Sequence, residues 1–425
     1  METRRVIDII WRKDLYPRID PDSATTQEYV DNLEKLPPIE INQHNELIDG
    51  YHRWTAHRKA EAETIEVTVT PTINEAEFVR FAIERNSTHG LRMSDNDKKE
   101  KVQLLYNPDA KSKELGSKED MASLFSVSDK TIARYVKSID DANKKRKERI
   151  IREMWLACRT EEEIADEVGL TQKTINQKAK DLYLLDNWEK GINLHAQYID
   201  EYWKPQLYDI WNFEKNDNKV KHPGNTHVSI VDNLLYTFTQ PFDIIIDPFG
   251  GGGSTIDICK KRLRRYWVSD RKPIIERLDI REHDLIISGI SGPYHWGEVA
   301  LVYLDPPYWK QSAGKYSNEP TDLANMTLEN FTRSLIDVIQ SYGDKLRTGA
   351  HIACIISPTQ WPNEDKSVNY HDIDLACGVN GKLRLVRRAV CPYSTQQYNG
   401  TQYDIAEANK LWMVLSRTLL VWEVV

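Results

Sequence analysis

The feature that most narrows the folds open to this sequence is the run Ile244-Ile-Ile246 passing straight into Asp247-Pro-Phe-Gly-Gly-Gly-Gly-Ser-Thr255. A short, unbroken apolar run bounded by turn residues suits a strand buried on both faces, and such strands belong to parallel sheets covered by helices. The glycines that follow let the backbone pass close to a ligand and take positive φ with no Cβ in the way. A strand, a glycine loop and a helix start, in that order, build a nucleotide-type pocket at the carboxyl edge of a doubly wound sheet. Further on, Asp270 closes the next expected strand, around Trp267-Val268, where a carboxylate can accept bonds from ribose hydroxyls. Buried runs at Leu301-Val-Tyr-Leu304 and His351-Ile-Ala-Cys-Ile-Ile356 alternate with helical stretches and continue the same α/β grammar.

The second chemical signal is Leu304-Asp-Pro-Pro-Tyr-Trp309, again at the end of a buried run. Its paired prolines stiffen the chain and present the Asp305 carboxylate and the Pro306 carbonyl as fixed acceptors, with Pro307 completing the turn. An exocyclic base amine is a poor nucleophile because its lone pair is delocalised into the ring. Two acceptors aimed at its hydrogens draw the nitrogen towards tetrahedral geometry and stabilise the positive charge that develops. Tyr308 offers a flat face for a base extruded from a duplex.

Together the two motifs resemble the amino-methyltransferases of DNA, whose pattern is a Phe-x-Gly-x-Gly loop and an Asp-Pro-Pro-Tyr loop. Here these are Phe249, Gly251 and Gly253, then Asp305 to Tyr308. The resemblance covers residues 205–425 and implies a Rossmann-like class I methyltransferase domain using S-adenosyl-L-methionine. It assigns to the cofactor Asp247, Pro248, Phe249, Gly250, Gly251, Gly253, Ser254, Thr255 and Asp270. It adds His222, Pro223 and Asn225 with Ile230-Val-Asp-Asn-Leu234 at the methionine end, and Asp284 as the acid holding the adenine amine. Three strand-helix steps are expected between the two loops. Only 117 residues follow Tyr308, and the remaining strands need most of them. Tyr316 to Met326 is a short loop placed to close on substrate, so the domain is poorly equipped to choose a DNA sequence alone.

That gap gives the front half a role. Within residues 1–93, the alternation of Ile65, Val67 and Val69 predicts a strand, and Ala76, Val79, Ala82 and Ile83 predict the buried stripe of a helix. Leu47-Ile-Asp-Gly-Tyr-His-Arg-Trp-Thr-Ala56, followed by Asn86-Ser-Thr-His-Gly90, resembles the ParB N-terminal family, related in fold to sulfiredoxin. The resemblance implies an α+β domain in which Gly50, His52 and Arg53 bind phosphate at a helix start. The Gly-Glu-Arg-Arg form of CTP-dependent partition proteins is absent. Two readings stay open: Asp49 and His52 are catalytic on a nucleotide, or Asp49 caps the helix while His52 and Arg53 contact a DNA phosphate.

Residues 94–183 are helical and carry one pattern twice: Ala122, Ser126 and Ile132, then Ala165, Gly169 and Ile175. A helix-turn-helix needs a small residue where its helices cross, a tight turn and an apolar residue seating the second helix. The expected reading helices start near Ser128 and Thr171, the latter an N-cap, and offer Lys130, Thr131, Arg134, Lys173, Thr174 and Gln177 to base edges. The basic run Lys144 to Lys147 fits either a solvated helix face or a phosphate track.

The expected organisation is therefore a ParB-like module (1–93), a helical DNA-binding segment (94–183) and a methyltransferase domain (184–425). The expected activity is methylation of adenine N6 or cytosine N4 in duplex DNA, as in restriction-modification enzymes. Alternatives are an RNA or guanine-amine methyltransferase, or a ParB-like regulatory binder with a relic catalytic domain. A net charge of −8 argues against coating nucleic acid by bulk charge, though not against a local basic face. Five scattered cysteines without a Cys-x-x-Cys pair predict reduced thiols and no metal site. No apolar run is long enough to span a membrane and Met1 to Trp11 lacks signal-peptide features, so a cytoplasmic, nucleoid-associated protein is expected. A homodimer is left open.

Overall fold

The computed structural model describes residues 2–17, 23–88, 93–184, 204–213, 226–361, 366–393 and 400–425. The chain divides into two compact units, Met1–Arg149 and Ile150–Val425. Among the described residues, no helix is long and apolar enough to cross a membrane.

The first unit holds strands β1 (Glu2–Arg5), β2 (Ile39–Ile41), β3 (Leu47–Asp49) and β4 (Thr64–Val69) in the order β1-β4-β2-β3. Strand β2 runs parallel to β4, and the other pairs are antiparallel. Helices α1 (Ser23–Val30), α2 (Tyr51–Lys59), α3 (Glu75–Thr88), α4 (Asp95–Leu105) and α5 (Lys118–Leu124) follow, with the first part of α6 (Asp129–Leu156). The predicted strand alternation is present, with Ile65 and Val67 buried between exposed neighbours. The stripe on α3 differs by one residue. Ala76 faces solvent in the first turn, and Phe78 takes the core place beside Val79, Ala82 and Ile83.

The two repeated patterns fold alike, each as helix, left-handed turn, helix. In the first copy Ser126 takes φ 50°, and in the second Gly169 takes φ 64° as the C-cap of α7 (Glu161–Val168). Ile132 and Ile175, which seat the following helices α6 and α8 (Gln172–Leu184), are both fully buried. The cap predicted at Thr171 forms, its Oγ1 accepting from Thr174 N, and Ser128 Oγ accepts likewise from Thr131 N. Lys130, Arg134, Lys173 and Gln177 are exposed, while Thr131 and Thr174 are half-buried. Arg134 pairs with Asp95, and Arg146 and Lys147 both pair with Asp109, which neutralises part of the basic run.

The second unit is built on a seven-stranded sheet. Its helices include α9 (Val228–Phe238), α10 (Ser254–Lys261), α11 (Leu285–Ser288), α12 (Leu328–Lys345), α13 (His371–Gly378) and α14 (Gly400–Ala408). The strands are β5 (Ile244–Asp247), β6 (Arg265–Asp270), β7 (Arg281–Glu282), β8 (Val299–Leu304), β9 (His351–Ile356), β12 (Leu383–Pro392) and β13 (Ser416–Val424). A separate small hairpin pairs β10 (Thr359–Gln360) with β11 (Val368–Asn369). The sheet order is β12-β13-β9-β8-β5-β6-β7. Strands β7 to β9 across the centre are parallel, and β13 inserts antiparallel between β9 and β12. This is the Rossmann-like class I arrangement.

Every residue of β8 is buried, as is every residue of β5. Their Ile, Val and Leu side chains fill the layers on either face, each contributing about 1.5–3 kcal/mol by leaving water. The expected strand-helix steps are shortened between β6 and β7, where residues 271–280 form no helix. Because the chain leaves β5 to one side and later returns to the other, the β5/β8 boundary is a topological switch point. Ligands bind at the carboxyl ends of strands there.

Candidate active site

At that boundary lies a cavity of about 650 Å³. Its walls come from the loop after β5, the ends of β6 and β8, the start of α11 and the 310–326 loop. Pro248, Phe249, Gly250, Gly251, Ser254 and Thr255 line it, together with Asp247, Asp270, Asp284, Asp305 and Pro307. The glycine loop and the Asp-Pro-Pro-Tyr loop therefore face one common space.

The glycine loop is held from behind. Gly250 N donates to Ser269 O at 2.8 Å, and a Cβ at Gly250 would stand 2.6 Å from Val268 Cγ1. Gly253 does not line the cavity; it opens α10 in the left-handed region at φ 79°. Asp247 turns inwards, accepting from the Thr255 hydroxyl at 2.6 Å and from Phe249 N at 2.9 Å. Burial pushes its carboxyl up to about 7. Asp270 ends β6 as expected and ties the loop down: one oxygen accepts from Gly251 N and the other from Lys272 N, both at 2.9 Å.

Asp284 plays a structural part that its motif did not reveal. It caps α11 by accepting from Ile286 N and Ile287 N, and its second oxygen pairs with Arg271 Nε at 2.9 Å. Arg271 also reaches Thr321 in the 310–326 loop. Tyr316, Ser317 and Asp322 bring that same loop to the cavity.

The upstream cofactor segment is only partly described: His222, Pro223 and Asn225 lie outside the described residues. From Ile230 to Leu234, now the first turns of α9, only Val231 reaches the cavity. Asp232 points away into a buried ion pair with Arg262, and Asn233 bonds the backbone of Gln206.

Asp305 is the most elaborately supported carboxylate of the site. Oδ1 accepts from the Tyr308 hydroxyl at 3.1 Å, and Oδ2 lies 3.4 Å from the Tyr303 hydroxyl. Burial raises its carboxyl above the usual carboxylate range, while the Thr226 hydroxyl, Arg417, Tyr308 and Tyr303 pull it back. Pro306 is buried and the Tyr308 ring is half-buried against the core; of this loop, Asp305 and Pro307 line the cavity and Pro306 and Tyr308 do not. Thr226, Tyr303 and Arg417 belong to none of the motifs. Arg417 alone left a trace in the sequence, as a cation opening the apolar stretch Thr418 to Trp422.

In the first unit the turn around Gly50 departs from the capping expectation. Gly50, at φ 101°, is itself the N-cap of α2, and no side chain caps that helix. The cap expected of Asp49 is not formed because its carboxylate instead pairs with Arg53 at 2.7 Å. Arg53 also donates to the carbonyls of Pro37 and Pro38, and His52 Nδ1 meets the Thr26 hydroxyl at 3.1 Å.

A family model described as DNA methylase, N6_N4_Mtase, matches residues 40–276. The chain belongs to this family. The match takes in the glycine loop and Asp270 and ends before Asp284 and Asp305. No curated protein matches this methylase. Among solved structures, it is similar to TrmN from Thermus thermophilus at 13% identity and TM-score 0.27, over 47% of this chain and 48% of that one. The match thus spans about half the length of TrmN. It is also similar to a rRNA methylase from Streptococcus thermophilus, at 12% identity and TM-score 0.26, over 49% and 99% of the two chains. A third is the chromosome-partitioning protein ParB from Caulobacter crescentus complexed to the centromeric parS site, at 15% identity and TM-score 0.24, over 47% and 92%.

Proposed function

We propose that this methylase transfers a methyl group from S-adenosylmethionine to the exocyclic amine of adenine or cytosine in DNA. The observation that carries the reading is the shared cavity, with Gly250, Gly251 and Asp270 on one side and Asp305 and Pro307 on the other. Its volume, about 650 Å³, falls within the range of about 300–1,000 Å³ usual for cofactor pockets. The lining fits the group. Phe249, Leu285 and Ile286 supply apolar walls for adenine, and Asp284 stands beside them. Asp270 would exchange its bond from Gly251 N for ribose hydroxyls.

When bound, S-adenosylmethionine supplies an electrophilic methyl on a sulfonium. The chain's own groups prepare the acceptor. The Asp305 carboxylate and the Pro306 carbonyl take the amine's hydrogens, turn its lone pair out of conjugation and stabilise the charge growing on nitrogen. Tyr308 presents its ring to a base that has left the stack. The helices beginning after Ser128 and Thr171 hold duplex DNA through Lys130, Thr131, Arg134, Lys173, Thr174 and Gln177.

The test is Asp305→Ala. Methyl transfer to duplex DNA should fall by about 10³-fold, within the range for removing a preorganised transition-state contact. Calorimetric affinity for S-adenosylmethionine should stay close to wild type. A variant with undiminished turnover would overturn the site. Structured RNA as a parallel acceptor tests the substrate class, and single-molecule sequencing of DNA from expressing cells reads the modified base.

A further inference from the structure

Strand β13 is an interior strand of apolar residues that begins with a buried cation. Arg417 is 7% exposed and pairs in register with Cys391 of β12, while its neighbour Thr418 pairs with Ile356 of β9. Its Nη1 donates to Thr226 Oγ1 at 3.0 Å, and the guanidinium lies 4.9 Å from the centre of the Tyr393 ring. Its Nε is buried without a hydrogen-bond partner among the described residues. A cation brought this far out of water costs several kcal/mol unless negative charge compensates it. Asp305 supplies that negative charge, and Thr226, which accepts the Arg417 bond, lines the same cavity as Asp305.

We propose that Arg417 is a positioning residue for methyl transfer: from beside Thr226 its guanidinium holds the Asp305 carboxylate anionic and in place, so that its oxygens can accept from the target amine. The inference rests on the methyltransferase reading of the Asp305 loop and adds to it a residue from β13, two strands from β8 in the sheet. A protonated Asp305 would turn one oxygen into a donor and could no longer draw on the amine's hydrogens. The other titratable groups facing Asp305 do not supply the missing positive charge. Asp247 of β5 adds like charge. Tyr303, Tyr316, Cys354 of β9, and Cys391 and Tyr393 near the end of β12 are all pushed up by burial and stay neutral at working pH.

The sign follows from this arrangement. Activity requires ionised Asp305, so it fades as pH falls through that group's pKa, and removing Arg417 moves this acid limb to higher pH. The experiment compares wild type, Arg417→Gln and Arg417→Lys in full-length protein. It records kcat for duplex DNA against pH and the Asp305 carboxyl infrared band, assigned with Asp305→Asn. In Arg417→Gln both midpoints should rise by about one pH unit or more, with affinity for S-adenosylmethionine nearly unchanged. In Arg417→Lys the limb should stay near wild type while kcat falls, because a point charge replaces the planar fork. Midpoints unmoved in a folded Arg417→Gln protein would overturn the proposal. If that variant does not fold, wild-type Asp305 already protonated at neutral pH would overturn it, and an ionised one whose limb survives in Arg417→Lys would support it. Wild-type protein that transfers no methyl to DNA would sink the substrate reading, while the infrared midpoints still decide on Arg417.

Discussion

Among the described residues two helices open from a left-handed glycine, α2 behind Gly50 and α10 behind Gly253, and the second borders the cavity described above. In both, an arginine occupies the space a Cβ would need, with Arg53 3.1 Å from one position and Arg277 2.5 Å from the other. What separates them is where that arginine stands. Arg53 comes from α2 itself and spends its guanidinium on Asp49 and on the carbonyls of Pro37 and Pro38. The turn's own anion and cation are thus satisfied locally. Arg277 instead sits behind its loop, paired with Asp257 and Asp279, and leaves the front of the loop to the cavity. A glycine-opened helix becomes a ligand site only where the neighbouring side chains leave it open.

The largest effect should come from filling the open loop. Gly250→Val would place branched carbons against Val268 Cγ1 and Ser269 O, which already lie 2.6 and 3.1 Å from an ideal Cβ. Overpacking of this kind costs about 1–3 kcal/mol, and here the loop must move into the cavity to relieve it. Affinity for S-adenosylmethionine should fall by about 100-fold, measured by calorimetry. The matching change, Gly50→Val, clashes with Ile39 at 2.7 Å and strains a φ of 101°. It should lower the melting temperature of the N-terminal unit while leaving cofactor affinity as it is. Equal losses of affinity in the two variants would break the comparison.

Next in size is the lock on the closed turn. Arg53→Ala removes a half-buried cation and leaves Asp49 and the Pro37 and Pro38 carbonyls without their donor. Stranding such partners costs about 1–3 kcal/mol. Chemical denaturation should register that loss, and Arg53→Lys should recover only part of it, since one ammonium cannot reproduce the fork. If Arg53→Ala were neutral in stability and instead altered nucleotide or DNA binding, the turn would belong with the open loops.

The same contrast explains what the sequence made legible. Strand positions, the switch point and the glycine and Asp-Pro-Pro-Tyr loops follow from local patterns, because buried apolar runs and glycine or proline punctuation act over a few residues. The predicted β9 span, His351 to Ile356, coincides with the strand observed. Partnership across the fold was not legible. One of the two readings of Asp49 made it a cap, and the structure instead shows Arg53, four residues on, taking its carboxylate. Asp284 read as a cofactor acid, and its capping of a helix start and its pairing with Arg271 left no mark in the motif. Arg417 lies over a hundred residues from Asp305, and β13 brings it there by inserting next to β9. That last contact depends on sheet order, which no window along the chain contains.

The smallest effect expected tests backbone freedom away from the cavity, at the matched left-handed turns of Ser126 and Gly169. Gly169 has φ 64° with nothing within 4 Å of an added Cβ, while Ser126 holds φ 50° at the equivalent place. Sterics around Cβ are therefore removed as a variable, and only the left-handed backbone remains. Side chains other than glycine carry roughly 1 kcal/mol of penalty there. Gly169→Ser should destabilise by about that amount, and Ser126→Gly should gain somewhat less, because glycine also loses more freedom on folding. Denaturant midpoints moving in opposite directions by this modest margin, with cofactor affinity unchanged in both, would separate glycine needed for a turn from glycine needed for a ligand. A gain in stability from Gly169→Ser would mean that the second turn owes its shape to something other than its backbone.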